Sequence, residues 1–321
     1  MRKFRITTHG AALVALALLL GACGSGVGGD DDSDTGGGNG GRPVAEELTL
    51  GGPPECPKRP FCLPGLKETY GIEFGDFKPL DVGGPLTVKA LEGGQIDVGL
   101  LFSTSSVIED KGWVVLEDDK NLQQAENITP VVRQEVADDT IAELLNQVSA
   151  ALDTETMTEL NGRVEIDQED PAVVAADFLE EEGISGEGAG GSGSLTVGAV
   201  AFAENQIVAE MYAQVLEQGG YDVQRQLDLG SREILQPALE SGEVDIAPEY
   251  LGSLLLFLDP KAEASGDPEN NAELLEPLLE ERGQVLLEFS EANDTNAFVV
   301  TPETADEFGL EQMSDLAQPA E

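Results

Sequence analysis

Two distant stretches of this chain repeat one pattern. Leu91-Glu92-Gly93-Gly94-Gln95-Ile96-Asp97-Val98 matches Leu239-Glu240-Ser241-Gly242-Glu243-Val244-Asp245-Ile246. Each ends a helix, turns on glycine and starts a strand. Five residues after each Asp comes an aromatic, Phe102 and Tyr250, and hydroxyl residues follow, Ser103-Thr104 and Ser253. Around both copies, β-rich runs alternate with helical patterns. Leu195-Thr196-Val197-Gly198-Ala199-Val200 predicts a strand. Residues 204–218 predict an amphipathic helix with Ile207, Val208, Met211 and Val215 on one face, stopped by Gly219-Gly220. A strand starting at Tyr221-Asp222-Val223, a helix over 231–240 with Ser231 at its N-cap, and a strand at Val244-Asp245-Ile246 follow. The earlier block offers strands at 48–50 and 96–101 and a helix near 86–91. Such alternation implies α/β lobes with mainly parallel sheets. Ligands of such sheets sit beyond the carboxyl ends of the strands. Two related lobes would then present Phe102 and Tyr250 to one cleft. The alternative is a common helix–glycine–strand unit with both rings in cores.

Glycine and serine divide the chain. Residues 24–46 are Gly, Asp and Ser with almost nothing apolar, and residues 183–194 form a second Gly/Ser stretch. The first would be a flexible tether reaching about 25 Å. The folded blocks are then about 48–182 and 195–317.

The start of the chain sets its compartment. Met1-Arg2-Lys3-Phe4-Arg5 is basic, residues 11–20 are apolar, and Leu20-Gly21-Ala22-Cys23 closes the run. This is the layout of a secretory signal. A Cys directly after the small residues marks the bacterial lipoprotein version, with Cys23 lipidated. An ordinary secretory signal with an incidental Cys is the alternative. The apolar run is too short to span a membrane as a helix. Cys56 and Cys62 remain, and an even pair in an exported protein predicts a disulfide.

Charge and composition exclude whole classes. The chain has 62 acidic and 17 basic side chains and a formal net charge of -45. Nucleic acid and anionic membrane surfaces are poor partners for it. Its single histidine, His9, lies in the signal. The mature chain is left without His-based acid–base catalysis, Ser-His-Asp triads or the commonest zinc sites. No cofactor and no metal site are expected, and no enzymatic role.

The second block carries Phe202-Ala203-Glu204, Ala209-Glu210-Met211-Tyr212, Leu229-Gly230-Ser231-Arg232-Glu233, Pro237-Ala238-Leu239-Glu240-Ser241-Gly242 and Pro248-Glu249-Tyr250-Leu251-Gly252-Ser253. The first block carries Leu50-Gly51-Gly52-Pro53-Pro54-Glu55-Cys56, Pro64-Gly65-Leu66, Tyr70-Gly71 and Leu116-Glu117-Asp118-Asp119-Lys120. Together these resemble the substrate-binding proteins of osmoprotectant ABC importers, the glycine betaine/choline/carnitine type. The resemblance covers nearly all of the mature chain, with the halves in swapped order. It implies a circularly permuted, two-lobed type 2 periplasmic-binding-protein fold, α/β, with two hinge strands near 128–132 and 296–300. The expected organisation is a signal over 1–22, a tether over 23–46, and a second lobe over 47–127. A hinge strand and part of the first lobe follow over 128–182, then a linker over 183–194. The main part of the first lobe takes 195–300 and the rest of the second lobe 301–321.

The resemblance also implies a site. A trimethylammonium has no N–H, so aromatic faces hold it by cation–π attraction and dispersion. Tyr250 and Phe102 match cage positions, Phe102 with the hydroxyl lost. Arg59, inside the Cys56–Cys62 loop, matches the arginine that pairs with a ligand carboxylate, and a guanidinium fork suits that pairing. A surface arginine is the alternative. Ser103, Thr104, Ser231 and Ser253 are candidate polar contacts, although capping alone explains Ser231. Three positions depart from the family. Glu126 stands for a cage tyrosine, as a charge for the cation or as a solvated acid. Asn296 stands for another tyrosine, and Val200 for a Lys or Gln. Trp113 and Tyr212 are assigned to packing. The implied role is a monomeric, lipid-anchored solute receptor outside the cytoplasmic membrane. It would deliver a small zwitterionic or cationic solute to an ABC permease. An exported sensor or structural lipoprotein on the same fold is the alternative.

Overall fold

The computed structural model describes residues 41–81 and 83–320. The signal, Cys23 and most of the tether lie outside the described residues. Two five-stranded sheets organise the rest. The first runs β2 (Asp76–Pro79), β1 (Thr49–Gly52), β3 (Val98–Phe102), β10 (Asn296–Val300) and β4 (Val114–Val115). The second runs β7 (Asp222–Leu229), β6 (Ser194–Val200), β8 (Ile246–Tyr250), β5 (Ile128–Arg133) and β9 (Gln284–Leu286). In each sheet three neighbouring strands are parallel and the other two pair antiparallel. The sheets are therefore mixed rather than mainly parallel. The antiparallel strands β5 and β10 arrive from the opposite lobe, so no helical crossover sets their direction.

The repeated sequence pattern is a repeated structure. Asp97 Oδ2 accepts from the Thr49 N–H at 2.8 Å, and Asp245 Oδ2 accepts from the Thr196 N–H at 2.9 Å. The N–H of Gln95 reaches the Ala90 carbonyl and that of Glu243 the Ala238 carbonyl, closing the same turn after each helix. Each Asp thus locks the start of its strand to the neighbouring first strand. Phe102 then faces Asn296 in register, and Tyr250 faces Ile128.

The helices Pro85–Glu92, Ala203–Gly219 and Arg232–Ser241 follow from their apolar spacing. The helices Asp139–Ala151, Thr154–Glu165, Pro171–Glu181 and Pro268–Glu280 each begin on an aspartate whose side chain accepts from a first-turn N–H. Part of the acidity therefore serves as helix caps rather than only as a solvated surface. The first sheet packs on Leu48, Leu66, Leu100, Phe298 and Leu316. The second packs on Leu145, Val197, Val208, Met211 and Tyr212. Trp113 packs beside Ile96 and Leu101.

The chain passes between the sheets twice, just before β5 and just before β10. Asn127 bridges Asn293 there, and the Asp294 N–H donates to the Glu126 carbonyl at 3.2 Å. At the other end of the first sheet, the Val44 N–H meets the Gln318 carbonyl and the Ala320 N–H meets the Arg42 carbonyl, both at 2.9 Å. Residues 43–46 are therefore part of the fold and not of a flexible tether. Val44 and Ala45 are apolar and buried under the C-terminal segment. The 183–194 stretch is largely exposed but touches the body of the fold at two glycines. A Cβ on Gly191 would lie 2.1 Å from the Tyr221 ring, and one on Gly186 2.2 Å from the Val215 carbonyl oxygen. Glycine at these two places lets the connection lie flat on the Ala203–Gly219 helix. Cys56 and Cys62, both buried, are joined by a disulfide.

Candidate functional site

Phe102 ends β3 and Tyr250 ends β8, so one ring comes from each lobe. Both line a pocket of about 360 Å³ at the carboxyl ends of the central strands. Arg59, Glu126, Ser231, Ser253, Asn296 and Val200 line it too. Local structure explains how each arrives. The disulfide closes a tight loop that carries Arg59 to the rim. Among the described residues, no carboxylate pairs with its guanidinium. Glu126 sits on the first crossing. It is buried, and accepts from the Ser253 N–H at 2.9 Å and from the Gln124 amide. It is therefore not a solvated acid. Burial pushes its carboxyl up, against the hydrogen bonds of Ser253 and Gln124 and the charge of Arg232. Asn296 Nδ2 donates to Gln123 Oε1 at 2.8 Å. Ser231 stands at the N-cap of the Arg232–Ser241 helix, but its side chain makes no capping bond.

Ser103 and Thr104 do not line this pocket. Ser103 Oγ donates to the Asn293 carbonyl at 2.8 Å and accepts from the Thr295 N–H at 2.9 Å. Thr104 Oγ1 donates to Asp294 Oδ1 at 2.8 Å. The second crossing passes directly over the end of β3 and takes both hydroxyls. In the structure both hydroxyls fasten the crossing, and Thr104 lines a neighbouring chamber.

Four further pocket-lining side chains escaped the sequence. Phe202 adds a third ring, stacked on Tyr250 with centroids 6.1 Å apart. Its turn is held by Asn205, whose Oδ1 accepts from the Val200 N–H at 2.8 Å and whose Nδ2 donates to the Pro248 carbonyl at 3.0 Å. Arg232 and Glu249 form a forked pair across the pocket wall, with Nη2 to Oε2 at 2.7 Å and Nε to Oε1 at 3.1 Å. Arg232 Nη2 also donates to Ser253 Oγ at 2.9 Å. Burial works against the Arg232 charge, but Glu249 and Glu126 outweigh it and hold its pKa above the ordinary value. Asp294 closes the pocket from the second crossing. Phe202, Arg232 and Glu249 all stand in the quoted motifs. Nothing in spacing marked them as facing one another.

A carboxyl cluster lies behind the rings. Tyr250 donates its hydroxyl to Glu204 Oε1 at 2.9 Å, and Asn161 Nδ2 donates to Glu204 Oε2 at 2.9 Å. Burial pushes the Glu204 carboxyl up, against the bonds of Thr104, Asn161, Tyr250 and Asp294. Burial and the Glu204 charge push the Asp294 carboxyl well up. Burial, with Glu204 and Asp294 nearby, keeps the Tyr250 phenol protonated far above its usual range. Among the described residues, no group of His, Cys, Asp or Glu side chains could hold a metal ion.

The pocket therefore offers rings, carboxylates and two guanidinium groups. The family described as the substrate binding domain of ABC-type glycine betaine transport systems matches residues 41–181 and 193–321. This chain belongs to that family. It is 38% identical to the glycine-betaine-binding protein of Pseudomonas aeruginosa over 144 residues, 44% of this chain and 46% of that protein. It is 31% identical to the carnitine transport binding protein OpuCC of Listeria monocytogenes over 118 residues, 36% of this chain and 38% of that protein. The aligned stretches thus span about half the length of these curated relatives or less. The structure of the probable amino-acid ABC transporter extracellular-binding protein ytmK from Bacillus subtilis superposes over 84% of this chain and 89% of its own. That likeness is loose, with a TM-score of 0.43 and 12% identity.

Proposed function

We propose that this protein is an extracytoplasmic receptor that hands a betaine-like solute to an ABC permease. It does no chemistry on the solute. The observation that carries this reading is one interlobe pocket walled by Phe102, Phe202 and Tyr250 and flanked by Arg59. The rings would hold a trimethylammonium, with Glu126 adding attraction at short range. Arg59, free of a protein carboxylate, would take the ligand carboxylate. Closure of the lobes about the two crossings would bury the solute, and the permease would recognise the closed form. Lipidation of Cys23 would tether a monomeric receptor to the membrane.

The swapped order of halves is part of the proposal. The meeting of residues 42–44 with 318–320 supports it, as does the flat connection over 183–193. A chain rebuilt with 195–317 ahead of 48–184 should fold and bind the same solutes, and failure to do either counts against permutation. The function is tested by calorimetry with glycine betaine, choline and carnitine. Saturable binding of at least one is expected. No heat and no thermal stabilisation with any of them would reject the reading.

A further inference from the structure

Beside the ring-walled pocket lies a second chamber of about 690 Å³. Phe102, Phe202 and Asp294 border both. Much of its lining is apolar, from Pro85, Val88, Val107 and Ile166, but Glu204 and Asp294 also line it, with Asn161 beside them. All three are buried, with 1%, 8% and 3% exposure. The Asn161 amide has a fixed orientation. Its Nδ2 donates to the Thr104 carbonyl at 3.1 Å, a group that only accepts, and to Glu204 Oε2 at 2.9 Å. The other amide atom, Oδ1, is buried without a partner among the described residues. Two buried carboxyl groups and an unpartnered carbonyl give the chamber an excess of acceptors, although the hydroxyl residues Thr104, Ser105 and Ser106 also line it.

A trimethylammonium cannot supply donors, because it carries no N–H. We propose that the second chamber receives a protonated N–H-bearing tail of a ligand whose trimethylammonium and carboxylate occupy the first pocket. The substrate class is a betaine with a basic side chain: an amine, a guanidinium or an imidazolium. This inference rests on the solute-receptor reading above. The apolar walls would cover the aliphatic part of the tail, and Asn161 Oδ1, Glu204 and Asp294 would accept from its end.

Glu204 and Asp294 are both buried, and the Glu204 charge helps to push the Asp294 carboxyl up. Two buried carboxylates that repel one another cannot both stay charged, so the pair shares a proton when no cation is near. An arriving cation replaces that proton, and about one proton leaves. The groups facing the pair are the Tyr250 hydroxyl from β8, Thr104 beyond β3, Asn161 and Glu165 from the Thr154–Glu165 helix, and Glu126 from the first crossing. Tyr250, Thr104 and Asn161 offer no basic site for the proton, but Glu165 and Glu126 are further carboxyl groups raised by burial, so the released proton is counted over all four carboxyls. Preference for an amine or guanidinium tail should rise with pH while the tail stays protonated.

The test is calorimetry on the full chain with three probes: glycine betaine, Nα-trimethyl-lysine and Nα-trimethylnorleucine. The last two share head and chain length and differ only in the terminal amine. Trimethyl-lysine should bind about ten-fold tighter than trimethylnorleucine. Its heat should vary between buffers of different ionisation enthalpy by the amount for release of about one proton. Asn161→Leu should cut that preference to about three-fold or less. Because Asn161 also bonds Thr104 and Glu204, the variant could fail to fold. Glu204→Gln, nearly the same shape, should then remove the buffer dependence. Equal or tighter binding of trimethylnorleucine overturns the second chamber and leaves the receptor reading standing. So does a preference that neither variant alters. No binding by any probe overturns both.

Discussion

Arg59 and Tyr250 act at opposite ends of one proposed ligand, and single substitutions separate them. Tyr250 is almost fully buried and stacked on Phe202. Tyr250→Ala removes a ring from the cage and should weaken any quaternary ammonium ligand by about 1–3 kcal/mol, measured by calorimetry. In the proposed complex Arg59 would touch only the carboxylate. Arg59→Ala should weaken glycine betaine by about ten-fold or more and choline by far less, because choline has no carboxylate. Equal losses for both ligands in a folded variant would remove Arg59 from its role. Arg232 is not its substitute. Its fork is already occupied by Glu249 and Ser253.

Elements decide how firmly these residues are held. The Cys56–Cys62 bridge closes a short loop, and the chain-entropy account gives about 2 kcal/mol for a loop of this length. Cys62 also precedes the turn that leads to Leu66 and Tyr70 in the first core. Replacing both cysteines by serine should therefore lower the melting temperature. It should also weaken glycine betaine more than choline, since Arg59 would lose its fixed position. A double variant with unchanged ligand preference would show that the loop is rigid without the bridge. The turn after β6 is held differently, by Asn205 to Val200 and Pro248. A side-chain amide there ties two elements far apart in sequence.

At the scale of the whole molecule, the lobes are tied by buried carboxyl groups. Glu204 belongs to the second lobe and Asp294 to a crossing, and Thr104 reaches Asp294 from the first. Burial holds both carboxyls above their unfolded values of about 4. The folded state thus binds protons more tightly than the unfolded chain. This contribution is present in full below the unfolded values. It is lost as pH rises through the raised ones. Glu204→Gln fixes an uncharged group at the site. The melting temperature of the variant minus that of the wild type should therefore grow from pH 5 to pH 8. A difference independent of pH would show that the pair does not carry this linkage, because altered hydrogen bonds alone give only a constant offset.

Part of this molecule was legible in its sequence. The echo around Asp97 and Asp245 marked two α/β lobes, because one helix–turn–strand unit needs the same residues wherever it occurs. It also placed Phe102 and Tyr250 at equivalent strand ends. The motifs carried the family, and an even pair of cysteines in an exported chain carried the Cys56–Cys62 bridge. Tertiary structure alone decided the rest. The second crossing runs over β3 and claims Ser103 and Thr104, which local sequence left free for a ligand. Arg232 meets Glu249, and Glu204 meets Asp294 and Asn161, only because separate elements converge on one cleft. Periodicity and capping are properties of neighbours along the chain and can be read there. Pairing between buried charges depends on distances in space, which no local pattern encodes.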